Sequence, residues 1–164
     1  MIERTPSMHA LSLAAVIGVG VALFGGTASA GEMAPAKADA HHTYGAIFQI
    51  DSGGNGAIKK TLNNIENLVN DPRVKGHINV ELIANSKGFD VYVKNNGFEK
   101  KLEHLKKEGV ILSQCSNTLR ELHVPRDHLY SFITIVPSGV GEITLRQAQG
   151  WAYIHPTAPT KETM

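Results

Sequence analysis

Short apolar runs and amphipathic segments alternate along this chain from residue 43 to residue 154, and few folds accept that order. Residues 43–50 (TYGAIFQI) are rich in β-branched and aromatic side chains. They stop at Asp51-Ser52-Gly53-Gly54-Asn55-Gly56, a cluster suited to a loop, so they read as a buried strand. Over residues 57–69 the apolar side chains Ile58, Leu62, Ile65 and Leu68 or Val69 recur every three or four positions, and Asp71-Pro72 ends the run. That spacing predicts an amphipathic helix. The pattern repeats with a strand over 77–84 (HINVELIA), a turn at Asn85-Ser86-Lys87-Gly88, and a helix marked by Phe98, Leu102 and Leu105 that closes at Gly109. A strand over 110–113, a helical turn over 117–122, a strand over 132–136 (FITIV), a helix over 141–149 and a strand over 151–154 complete the series.

Five strands with near-continuous apolar character, separated mostly by helices, indicate a mainly parallel sheet covered on both faces. The expectation is a three-layer α/β domain with right-handed crossovers. In such a sheet the strand C-termini and the helix N-termini that follow them share one edge, where ligands bind. Four loops fall on it: residues 51–56, 85–88, 115–118, and Pro137-Ser138-Gly139. They supply Asp51, Ser52, Gly53, Asn85 and Gly88 as pocket residues, Ser138 and Gly139 as a neighbouring loop, and the single cysteine, Cys115.

That cysteine is unusual because of what precedes it. Arg4 is followed by an uncharged stretch over residues 5–30 whose apolar centre, residues 10–24, has the length of a signal h-region, and Ala28 and Ala30 stand where a signal peptidase requires small side chains. Cleavage after Ala30 is expected, placing the chain in the periplasm or outside the cell; the rival is an uncleaved anchor, since residues 8–30 could cross about 30 Å of hydrocarbon as a helix. Residues 31–42 and 157–164 read as mobile segments around one domain over 43–156. A lone thiol in an exported protein cannot close an internal disulfide, so Cys115 is buried filler, an intermolecular link or a reactive group. Removing residues 1–30 takes away one base, Arg4, and one acid, Glu3, so the formal charge of +1 is unchanged. Near balance of charge argues against a nucleic-acid surface.

A reactive cysteine needs thiolate, and a free thiol with a pKa of about 8.5 is mostly protonated at neutral pH. A helix N-terminus lowers that value, and Ser116, Asn117 and Thr118 after Cys115 are capping residue types. Packing of Cys115 as part of a strand is the competing reading. The other candidates are weaker. Gly53-Gly54-Asn55-Gly56 lacks the order of a dinucleotide or P-loop motif and reads as a tight turn. His41-His42 and the pair His123 and His128 do not share a helical face and read as surface residues, so no metal is expected. Packing is the default for Trp151 and Tyr153.

The segment GVILSQCSNTL around Cys115, with HHTYGAIFQIDSGG and LNNIENLVND before it and ITIVPSGVGEITLRQAQGWAYIHP after it, resembles the DsrE/DsrF-like family of sulfur-relay proteins. The resemblance runs over residues 41–156. Its most specific elements are the Cys-x-Asn-Thr of Cys115, Asn117 and Thr118, the Val-Pro-Ser-Gly-Val of residues 136–140, and the Gln-x-x-Gly-Trp-Ala-Tyr of residues 147–153. The resemblance implies a flavodoxin-like sandwich, frequent homo-oligomers, and a cysteine that accepts and passes on sulfane sulfur as a persulfide; no cofactor is expected. Cys115 is the residue that inherits that role. One departure is Asn85-Ser86-Lys87-Gly88, where relatives often carry Gly-Pro-Gly. The implied partners are sulfur donor and acceptor proteins or small polysulfides, with no nucleic acid and no membrane after signal cleavage. The alternative is a non-catalytic binding or assembly module with an inert, buried Cys115.

Overall fold

A computed structural model describes residues 34–156. The export signal expected over residues 1–30 and the tail over 157–164 lie outside the described residues. Five strands, β1 (Tyr44–Ile50), β2 (Ile78–Ala84), β3 (Ile111–Cys115), β4 (Thr134–Val136) and β5 (Ala152–Ile154), form one sheet in the order β4-β3-β2-β1-β5. Every pairing in it is parallel. Between the strands run α1 (Asn55–Val69), α2 (Glu99–Lys107), α3 (Ser116–Glu121) and α4 (Gly139–Ala148). The layers are those of a flavodoxin-like α/β sandwich.

Side-chain alternation along the strands divides the core in two. On one face Ala46, Phe48 and Ile50 of β1, Val80, Leu82 and Ala84 of β2, and Leu112 of β3 pack with Ile58, Leu62 and Ile65 of α1 and Leu102 and Leu105 of α2. Burying each of the large aliphatic side chains contributes about 1.5–3 kcal/mol, so this face holds most of the stability. The other face is smaller: Ile47, Ile83 and Val136 pack with Ile143 and Trp151. Its cover is α4, which lies on β1, β2 and β5.

This division follows from strand order. From β1 to β4 the chain steps always in the same direction across the sheet, and right-handed crossovers keep those connections on one face. The step from β4 back to β5 reverses direction, so α4 falls on the opposite face. The chain therefore leaves β3 and β4, which are neighbours, toward opposite sides of the sheet. Their carboxyl ends form a topological switch point, the position at which open α/β sheets generally bind ligands.

Several boundaries differ from the sequence reading. The expected turn at residues 85–88 opens a 3₁₀ helix, Ser86–Tyr92, anchored by the buried Tyr92 hydroxyl, which donates to the Leu82 carbonyl at 2.8 Å. Strand β3 runs two residues past its expected end at Ser113, to Cys115, because Gln114, polar in type, is fully buried in the ladder. Its polarity hid the end of the strand. Strand β4 starts only at Thr134: Phe132 turns off the sheet to stack on Tyr130 at 5.2 Å. Helix α4 begins at Gly139, two residues early, because the Ser138 side chain caps it by accepting the Gly141 N–H at 3.2 Å.

Candidate functional site

Cys115 was expected on a loop. It is instead the last residue of β3 and the residue that caps α3, with 5% of its surface exposed. Its strand partner on β4 is Val136. It therefore stands at the switch point between β3 and β4, with the start of α3 on one side and the start of α4 on the other.

Gly139, the first residue of α4, lies against it. A Cβ placed on Gly139 would be 3.2 Å from the Cys115 Cβ, 3.3 Å from the Asn85 Cβ and 3.5 Å from Ile83 Cγ1. Only a glycine lets the helix start come this close. Burial pushes the Cys115 thiol pKa up, but the nearby N–H groups of Thr118 and Gly139, the Thr118 hydroxyl and the Asn117 N–H outweigh it and hold the thiol below its ordinary value. The Thr118 hydroxyl is itself oriented, because its oxygen accepts the Ser86 N–H at 2.9 Å. Ser86 has φ +48°, a left-handed conformation uncommon for a residue with a side chain. The 85–88 loop thus aims a backbone donor at the Thr118 hydroxyl.

Of the residues expected at this edge, Cys115, Asn117, Thr118, Gly139 and Asn85 come together. Ser138 contributes by capping α4, while Ser116 begins α3 and makes no side-chain hydrogen bond described here. The glycines have steric roles. A Cβ on Gly88 would lie 2.0 Å from the Ile50 carbonyl oxygen, and one on Gly53 would meet the Asp90 carboxylate at 2.2 Å. Asp51 turns toward β5: its Oδ1 lies 3.0 Å from His155 Nε2 and accepts from the Ser52 hydroxyl at 3.1 Å.

A polar strip at the strand ends was not foreseen. Gln49 Nε2 donates to Asn85 Oδ1 at 2.9 Å, and the Tyr153 hydroxyl donates to Gln49 Oε1. With Asp51 and His155 these residues extend the edge from Asn85, beside Cys115, across β1 to β5. Tyr153, expected to pack, is 41% exposed. Glu81 was missed as well, although a charged residue in the middle of HINVELIA was a visible signal. It is wholly buried and pairs with Arg146. Among the described residues no group of three or more His, Cys, Asp and Glu side chains is arranged to hold a metal ion.

No family model and no curated protein matches the chain. Among solved structures it is similar to a protein of unknown function, MTH1491, from Methanobacterium thermoautotrophicum. The TM-score is 0.64 and the identity 34%, over 69% of this chain and 99% of that one.

Proposed function

The chain belongs to one family with MTH1491, whose function is unknown, so the functional reading comes from the site: we propose that this protein is an exported sulfur-relay protein that carries sulfane sulfur on Cys115. The observation behind it is the set of donors around the sulfur. Asn117, Thr118 and Gly139 supply N–H groups and Thr118 a hydroxyl, which favour the anion at the switch point of the sheet. The resemblance of the Cys115, 136–140 and 147–153 segments to the DsrE/DsrF-like family supports the same chemistry.

The step is an exchange at sulfur. The Cys115 thiolate attacks the outer sulfur of a donor persulfide or polysulfide, the donor S–S bond breaks, and the donor leaves as a thiolate. One S–S bond replaces another, so no external oxidant or reductant is required. Cys115 then carries the sulfur as Cys–S–SH, and an acceptor thiolate takes the outer sulfur by the same displacement, releasing Cys115. A carrier of this kind needs no second cysteine. The donor and acceptor are proteins with reactive thiols or small polysulfides.

Mass spectrometry after treatment with inorganic polysulfide tests the proposal. Wild type should gain sulfur masses that dithiothreitol removes, and Cys115→Ser should gain none. No adduct on wild type, or an equal adduct on the serine variant, rules it out.

The burial of Cys115 favours a second reading, a non-catalytic binding or assembly module with an inert thiol. Alkylation separates the two: labelling of native protein supports the relay, and protection until unfolding supports the module. Homo-oligomers belong to the proposal too, supported by the exposure of Val140 and Leu145 on α4. Sedimentation velocity measures the subunit number. Export is tested by the N-terminal mass of protein recovered from cells, which should begin after Ala30.

A further inference from the structure

Helix α4 has little apolar hold on the sheet. Of its ten residues only Gly139 is buried, and the apolar cluster beneath it is limited to Ile47, Ile83 and Val136 with Ile143 and Trp151 at its margin. Its Val140 and Leu145 side chains are 64% and 61% exposed. Against this stands one buried ion pair. Glu81, in the middle of β2, is 0% exposed, and its Oε2 accepts from Arg146 Nε at 2.7 Å. The same Nε lies 3.0 Å from Glu142 Oε1, one helical turn earlier, and the guanidinium stands 4.5 Å from the centre of the Trp151 ring. Glu81 Oε1 makes no hydrogen bond. Arg146 is its ion-pair partner among the described residues, and a buried carboxylate that loses such a partner is strongly disfavoured.

The register of this pair matters for the thiol. Gly139, Ile143 and Arg146 are spaced i, i+4 and i+7 and form one stripe of α4. Asn85, Ile83 and Glu81 are alternate positions along β2 and its end, so they share one face of the sheet. The contacts match them in order: Gly139 against Asn85 and Cys115, Ile143 on the cluster that contains Ile83, Arg146 on Glu81. Seven helical residues span about 10.5 Å, and four strand residues about 13 Å, so one straight segment of helix reaches from the buried carboxylate to the cysteine. A helix transmits an axial shift along its length. Displacing Arg146 from Glu81 therefore moves Gly139 relative to Cys115.

We propose that Glu81 and Arg146 are positioning residues that set how closely the start of α4 approaches Cys115. The pair acts on the reacting atom only through the helix, and it rests on the sulfur-relay reading for its purpose but not for its test.

The test is the rate of iodoacetamide labelling of Cys115 as a function of pH in the wild type, Glu81→Gln and Arg146→Lys. The two variants separate geometry from charge. Removing the Glu81 anion lowers the labelling midpoint by direct electrostatics, whereas a retracted Gly139 N–H raises it. Arg146→Lys keeps the charge and removes the fork, so its direct electrostatic effect is near zero. The expected result is a higher midpoint in both variants, with labelling at neutral pH slowed by roughly three- to tenfold as the thiolate fraction falls. A midpoint at or below that of wild type in Glu81→Gln overturns the proposal, as does an unchanged midpoint in Arg146→Lys accompanied only by lower thermal stability. Sulfur uptake from polysulfide is measured separately on the same samples. If wild type takes up none while its labelling midpoint still rises on Glu81→Gln, the relay role fails and the positioning role stands.

Discussion

The Ser86 N–H donates to the Thr118 hydroxyl oxygen at 2.9 Å, across 32 residues of sequence, and so fixes where the hydroxyl proton of Thr118 can go. With that lone pair occupied, the proton is free to face the Cys115 sulfur, where it favours the thiolate.

Replacing Thr118 by valine keeps the shape and removes the hydroxyl, and with it the bond from the Ser86 N–H. The Ser86 N–H then loses its partner, which costs about 1–3 kcal/mol of stability. The pH midpoint of Cys115 alkylation should rise, and Thr118→Ser should restore it. Labelling kinetics and urea unfolding report the two effects independently. An unchanged midpoint in Thr118→Val would show that the hydroxyl does not act on the sulfur.

Gly139→Ala introduces a Cβ at 3.2 Å from the Cys115 Cβ and 3.3 Å from the Asn85 Cβ. Both neighbours belong to strand ends rather than flexible tips, so the start of α4 must move. A loss of about 1–3 kcal/mol is expected, with slower alkylation of Cys115 at neutral pH. Alkylation as fast as in wild type would mean that the Gly139 N–H is dispensable.

Gly88→Ala should be more damaging. Its Cβ would lie 2.0 Å from the Ile50 carbonyl oxygen and 2.9 Å from the Asp51 nitrogen, both backbone atoms of the strand end that carries Asp51. Roughly 3 kcal/mol or more of destabilisation is expected, at the upper end of overpacking. Thermal unfolding measures it, and a change below about 1 kcal/mol would show that the 3₁₀ helix can shift freely on β1.

Burial raises the Glu81 carboxyl pKa above its ordinary value of 4.5, by more than the Ser113 hydroxyl and Arg146 lower it. The folded state therefore holds this proton at a pH where the unfolded chain has released it. Its contribution to stability is present in full below 4.5 and is lost as pH rises through the folded value. The difference in unfolding free energy between wild type and Glu81→Gln should accordingly shift in favour of wild type as pH falls from neutral toward 4.5. Denaturant titrations at several pH values check the sign, and a difference independent of pH would contradict it.

Much of the fold was legible because its signals are local. Ile58, Leu62 and Ile65 declare α1 by spacing alone, and the apolar runs around Phe48 and Leu82 declare strands, since a buried face must recur at the period of its own element. The short strands were harder to delimit. Gln114 disguised the end of β3 because the ladder and the neighbouring strands bury a polar side chain there. Phe132 looked like strand, and its packing on Tyr130 took it off the sheet.

The site divides in the same way. The residue order alone places Cys115 at the carboxyl edge of a parallel sheet and sets Asn117 and Thr118 behind it, because these relations span a few residues of chain. Nothing local says that β4 pairs with β3, or that the reversal from β4 to β5 carries α4 to the sparsely covered face. Those non-local pairings put Gly139 against Cys115 and Arg146 on Glu81, 65 positions away. Strand order is settled by which faces the whole chain can bury together, and hydrophobic period carries no record of it.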